Sequence, residues 1–133
     1  MAVRPTEHWR ESIAMEQREV ASGELDPDDA VMARLFPDSL LSRTDEVLSS
    51  FELELRAFRT PIDEQVFGAV ERVVLALNDV NRSYNGAAYE TSEREALCLF
   101  IDQSLEEVGI DVTALTSRYG LSRYEITDRW RRW

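Results

Sequence analysis

The chain has 133 residues, a formal net charge of −11, 44% hydrophobic residues and 31% charged residues, the make-up of a globular domain large enough to bury a core without staples. It holds one histidine, His8, one cysteine, Cys98, and no lysine, all fifteen basic residues being arginine. Schiff-base chemistry and the Gly-Lys phosphate loop are thereby excluded, and carboxylates supply nearly all the ionisable groups.

No stretch approaches the roughly 20 apolar residues of a membrane span. Residues 1–10 lack the apolar run of a signal peptide, and a lone cysteine forms no internal disulfide. A cytoplasmic location away from membranes is the expectation. Charge is uneven: residues 1–60 carry −6, residues 61–110 carry −7 and residues 111–133 carry +2. Such a body repels nucleic acid and anionic lipid and attracts a basic partner.

In chain order the pattern reads as helix throughout, with no sustained period-two alternation. The first helix is expected over 7–21, capped by Thr6, with Trp9, Ile13 and Val20 on one face and Gly23 as its stop. Asp26-Pro27 starts a short helix over 28–36, ended by Pro37. Leu41, Thr44, Leu48, Phe51, Leu55 and Phe58 then recur at spacings of three and four, one face of a longer helix. Thr60-Pro61 with Asp63 and Glu64 opens the next, where acids favour the first turn. Val66, Val70, Val73, Leu77, Val80 and Tyr84 form the strongest stripe, broken at Asn85-Gly86. A helix over 91–108 turns Leu97, Phe100, Ile101, Ser104, Leu105 and Val108 inward and stops at Gly109. Two short pieces, 111–119 and 122–132, meet at Gly120. The sum is one all-α domain over 1–133, a compact bundle of about five to seven helices with a short C-terminal helical hairpin packed on it.

Around the Asn85-Gly86 break, Asn78, Asn81, Glu90, Thr91 and Arg94 form a candidate polar site at the tip of a helical hairpin. Each also has a local structural use: Thr91 as a cap and the asparagines as partners for freed backbone groups. No spacing resembles a calcium loop, and one histidine with one cysteine makes no zinc site, so no metal or cofactor is expected. Cys98, flanking Leu97 and Ile101, reads as an inert buried thiol.

The stretch Glu90-Thr91-Ser92-Glu93-Arg94-Glu95, preceded by an asparagine-bearing apolar helix, resembles an element in a family of small uncharacterised bacterial all-helical proteins. The resemblance covers 61–133. It implies an all-helical cytoplasmic domain and nothing chemical.

The basic C-terminal stretch, Ala114 to Ile126, resembles a helix-turn-helix that would set Arg123, Tyr124 and Thr127 at the start of a recognition helix. Thr116 stands where that motif prefers alanine, and Glu125 and Asp128 would face phosphates. The competing use is a clasp, with Trp130 and Trp133 laid on the body and Arg129, Arg131 and Arg132 pairing its acids.

The expected function is non-enzymatic: an acidic protein-binding module, an inhibitor or immunity-type partner covering a basic surface such as that of a nuclease toxin. Glu52, Glu54, Asp102, Glu106 and Glu107 are its expected contact carboxylates, steering association while apolar groups carry affinity. The alternatives are a DNA-binding regulator built on 111–132 and a small helical enzyme with a pocket near Asn78, Glu90 and Arg94. Phe51, Phe58 and Phe67 suit a homodimer contact as readily as a monomer core.

Overall fold

The computed structural model describes residues 2–133. Six α-helices carry the chain: α1 (Pro5–Ser22), α2 (Met32–Leu35), α3 (Asp38–Arg56), α4 (Asp63–Ser83), α5 (Thr91–Glu107) and α6 (Val112–Ser117). Two 3-10 turns, Pro27–Asp29 and Arg123–Glu125, complete the regular structure, with no strand among the described residues. The all-α bundle expected from the periodicity is the observed fold. No helix among those residues is long and apolar enough to cross a membrane.

Helices α3 and α4 form its centre because their stripes are the most continuous. Leu41, Thr44, Leu48, Phe51 and Leu55 meet Val66, Val70, Val73, Leu77 and Val80, all buried. The pair runs antiparallel: Ser39 Oγ lies 2.5 Å from Tyr84 Oη, while Glu54, near the far end of α3, pairs with Arg72 of α4. Phe51 is therefore a core residue and not a dimer contact, and Phe58 and Phe67 are half-buried against the same core.

The Asn85-Gly86 break works through backbone geometry. Both residues sit at positive φ, 61° and 72°, a region asparagine and glycine enter at least cost. The turn then brings Ala88 and Tyr89 back onto α4, where Asn81 Oδ1 accepts their N–H groups at 2.9 and 3.4 Å.

Two N-terminal expectations are corrected. Pro5 occupies the first helical position, so Thr6 lies inside α1 and does not cap it; its buried hydroxyl donates to Asp45 of α3. Arg4 reaches Glu52 at 2.7 Å and Arg10 reaches Asp45 at 2.6 Å, laying α1 antiparallel along α3. The single helix expected over 28–36 is split. Asp26 accepts the Asp28 N–H and closes a 3-10 turn. Glu16 of α1 then accepts the amides of Val31 and Met32 at 2.6 and 2.7 Å, capping a separate one-turn helix from outside.

The C-terminal hairpin has only one helical arm. After α6 and Gly120, at φ 71°, the chain makes the short 3-10 turn and then irregular turns to Trp130. The residues were spaced for a helix. Local bonds such as Asp128 N–H to Glu125 O and Arg131 N–H to Thr127 O persist, and Asn78 bonds the Trp130 carbonyl and the Arg132 N–H, tying the end of the segment to α4.

Aromatic rings tie these pieces together. Trp9 stacks on Phe36 at 5.5 Å and lies 6.3 Å from Tyr89, which meets Trp133 edge-on at 5.6 Å. The Tyr89 hydroxyl is 2.6 Å from Thr44 Oγ1, and burial pushes its pKa up to about 12. The phenolate is thus disfavoured in the fold, and the unfolded chain ionises first, near its ordinary value of 10.0. This contribution to stability is whole below pH 10 and lost as pH climbs toward about 12, by roughly 2–3 kcal/mol. Urea unfolding of Tyr89→Phe should show a cost of about 1 kcal/mol at pH 8 from the orphaned Thr44 hydroxyl. The variant should also lose less stability than the parent between pH 8 and pH 11.

Candidate binding groove

Glu64, Phe67, Gly68 and Glu71 lie at i, i+3, i+4 and i+7 on α4, a stripe beside the one that enters the core. The segment after α6 crosses this stripe and leaves a groove of about 560 Å³ between them, within the size range of small-ligand and side-chain pockets. Tyr119, Leu121, Ile126 and Trp130 supply its far wall, with Glu125, Asp128 and Arg129 at its rim.

Two anchors hold the groove open. At one end Arg118 forks onto Asp63 with bonds of 2.9 and 2.8 Å, and the Tyr119 hydroxyl donates to the same carboxylate at 3.2 Å. The guanidinium holds the Asp63 carboxyl below its ordinary range. Tyr119 meets Phe67 edge-on at 4.9 Å. At the other end Asn78, buried on α4, donates to the Trp130 carbonyl at 2.8 Å and accepts the Arg132 N–H at 3.0 Å. The floor is low because Gly68 has no side chain; a Cβ there would come within 3.3 Å of the Arg72 guanidinium, which Glu54 holds.

The electrostatics are one-sided. Four carboxylates line the groove against one guanidinium. Asp128 pairs with Arg131 at 3.0 Å, but Glu64, Glu71 and Glu125 make no ion pair among the described residues. Glu125 is held ionised by the Ser122 N–H it accepts at 2.9 Å, which lowers its pKa. Arg129 lies over the Trp130 ring, 5.5 Å from its centre.

The residues singled out from sequence fall elsewhere. Glu52, with 13% of its side chain exposed, is gripped by Arg4 at 2.7 Å and approached by Arg56 at 3.5 Å. Glu54 pairs with Arg72. Asp102 is buried beneath Arg123, which bonds both its oxygens and also reaches Glu106 at 2.9 Å. Glu107 stays on the exposed face of α5. Four of the five expected contact acids are thus spent on internal arginines, and Glu107 lies apart from the groove.

The DNA-contacting trio is not assembled either. Arg123, its pKa raised by the Asp102 partner, is committed to α5. Thr127 is 1% exposed, with its hydroxyl 3.7 Å from the Cys98 sulfur. Tyr124 alone is open, at 84%, and it stands on a three-residue 3-10 turn, too short to lie in a major groove.

The polar hairpin-tip site dissolves into structure. Asn78 and Asn81 are both buried, with Asn78 bonding two backbone groups of the tail and Asn81 Oδ1 accepting from Ala88 and Tyr89. Glu90, and not Thr91, is the N-cap of α5, with Glu93 Oε1 accepting its N–H at 3.3 Å. Arg94 lines a separate hollow of about 340 Å³ beside Cys98 and Arg123, which neither asparagine reaches. Burial pushes the Cys98 thiol pKa up, which opposes thiolate chemistry. Among the described residues no three of His, Cys, Asp and Glu are grouped to hold a metal.

No family model, curated protein or solved structure matches the chain. The groove's own signal in the sequence was Gly68. A glycine in the middle of the most regular helix is costly, and Glu64, Phe67 and Glu71 lie on its face. Tyr119 and Trp130 carried no signal of convergence.

Two substitutions test this construction. Asn78→Ala should cost about 1–3 kcal/mol in urea unfolding, by stranding two backbone partners. It should also weaken the near-ultraviolet circular dichroism as Trp130 and Trp133 loosen. Gly68→Ala gains helix propensity of about 0.5–1 kcal/mol but presses on the Arg72–Glu54 pair, so urea unfolding should show a net gain below about 1 kcal/mol, and a larger gain when Arg72 is also replaced by alanine.

Proposed function

We propose that this protein is an acidic protein-binding module, of the inhibitor or immunity-partner kind, and that it docks a basic partner in the groove between α4 and the C-terminal segment. The observation that supports this most is the pairing of an aromatic and aliphatic floor with Glu64, Glu71 and Glu125, three carboxylates with no arginine of their own. The apolar floor supplies affinity by excluding water, and the acids select charge and speed encounter. Of the acids expected to do this, Glu52, Glu54, Asp102 and Glu106 already pair with internal arginines, so an incoming arginine would have to displace one.

A net charge of −11 adds a long-range attraction for a basic surface. The docking residues therefore differ from those first expected, while the class of partner is unchanged. Neither a DNA-binding nor an enzymatic role has comparable support, because Arg123 is sequestered and Asn78 is consumed by the tail.

A nine-residue peptide of alternating arginine and leucine is a suitable probe. In an amide-resonance titration at low salt it should shift the signals of Phe67, Gly68, Glu71 and Trp130. The association rate should fall steeply between roughly 20 mM and 300 mM salt, where the screening length shrinks to below about 10 Å. The double variant Glu71→Gln, Glu125→Gln should weaken binding about tenfold or more. Glu52→Gln should leave the affinity within about twofold, at some cost in stability. Shifts confined to the α1–α3 face, or self-association through the groove without peptide, would refute the assignment.

A further inference from the structure

Eight of the fifteen arginines, among them Arg72, Arg118, Arg123 and Arg131, sit in ion pairs among the described residues. Arg129 is among the seven that do not. It lines a groove with four carboxylates and yet pairs with none of them, and its guanidinium rests over the Trp130 ring, 5.5 Å from the ring centre. That is the position a cation takes over an indole, where the ring's negative face attracts it. A seat for a guanidinium is thus present on the groove lining, which Glu71 and Glu125 share without reaching Arg129.

We infer that Arg129 is an internal placeholder: it occupies the cation seat on Trp130 until an arginine side chain of the bound partner displaces it. This rests on the docking role proposed above and adds the ligand chemistry, a linear segment bearing an arginine flanked by apolar residues. Arginine fits better than lysine, because a planar guanidinium stacks on the indole face where a compact ammonium does not. Arg129 is suited to leave. It is exposed, holds no ion pair among the described residues, and gives up only a solvent-side cation–π contact. Its departure carries one positive charge out of the groove as the partner's charge enters, so the local balance is unchanged.

An internal competitor reduces apparent affinity by the fraction of time the seat is free. Removing it should therefore tighten binding, the opposite of what loss of a contact residue does. The test is isothermal titration of the arginine–leucine nonapeptide, and of the same peptide with lysine for arginine, into the parent chain, Arg129→Ala and Arg132→Ala. Arg132→Ala removes the same charge from the tail without touching the groove lining, and so measures the purely electrostatic gain. The expected result is a three- to tenfold tighter Kd for Arg129→Ala, no more than about twofold for Arg132→Ala, and weaker binding of the lysine peptide to all three. Binding by Arg129→Ala alone, with the parent silent, would also support the placeholder. Equal or weaker binding by Arg129→Ala, with the parent still binding in the groove, overturns the placeholder and spares the docking site. An equal gain from Arg132→Ala overturns it too, as a general charge effect. No binding by any of the three chains overturns both.

Discussion

One buried side chain decides the shape of the working face. Asn78 offers a donor and an acceptor from a single amide, and the C-terminal segment brings it a carbonyl at Trp130 and an N–H at Arg132. A buried amide left without partners is costly, and so is a backbone pulled from water without them. The two needs cancel in one contact. The segment lies across α4, and the groove is the space left beneath it.

The rest of the tail follows from that attachment. With residues 130–132 held, Trp133 reaches Tyr89 and joins an aromatic series that continues through Trp9 to Phe36. Arg118 and Tyr119 pin the other end of the segment at Asp63. Between the two anchors the chain spans the α4 stripe without filling it, because Gly68 contributes no side chain. The chain's basic end is thereby folded over its acidic middle, and what stays uncovered is a small acidic, aromatic surface.

The excess of acid over base is handled in two ways. Along α1 and α3, and between α5 and the tail, arginines are set directly against carboxylates, so Glu52, Glu54 and Asp102 act as internal ties. Exposed pairs of this kind contribute little to stability individually, but they do remove those acids from the surface available to a partner. In the groove the same chemistry is left incomplete, with the lone guanidinium on a ring and not on an acid.

The helical bundle was legible in the amino-acid sequence because core placement on a helix depends only on spacing. The stripes from Leu41 to Leu55 and from Val66 to Val80 turned inward as their period required. Gly23, Gly86 and Gly109 took the positive φ that ends a helix. Local rules failed where a distant group outbid a neighbouring one. Glu16 capped α2 from another helix, Asp45 claimed the Thr6 hydroxyl, and Asn78 tied down the end of the hairpin's second arm. The contact acids failed for the same reason, since exposure on a helix face says nothing of which arginine another helix will set opposite. Periodicity is a property of neighbours in the chain and could be read from it directly. The groove joins residues about 50 to 60 positions apart, such as Phe67 and Tyr119, and only the packed fold brings them together.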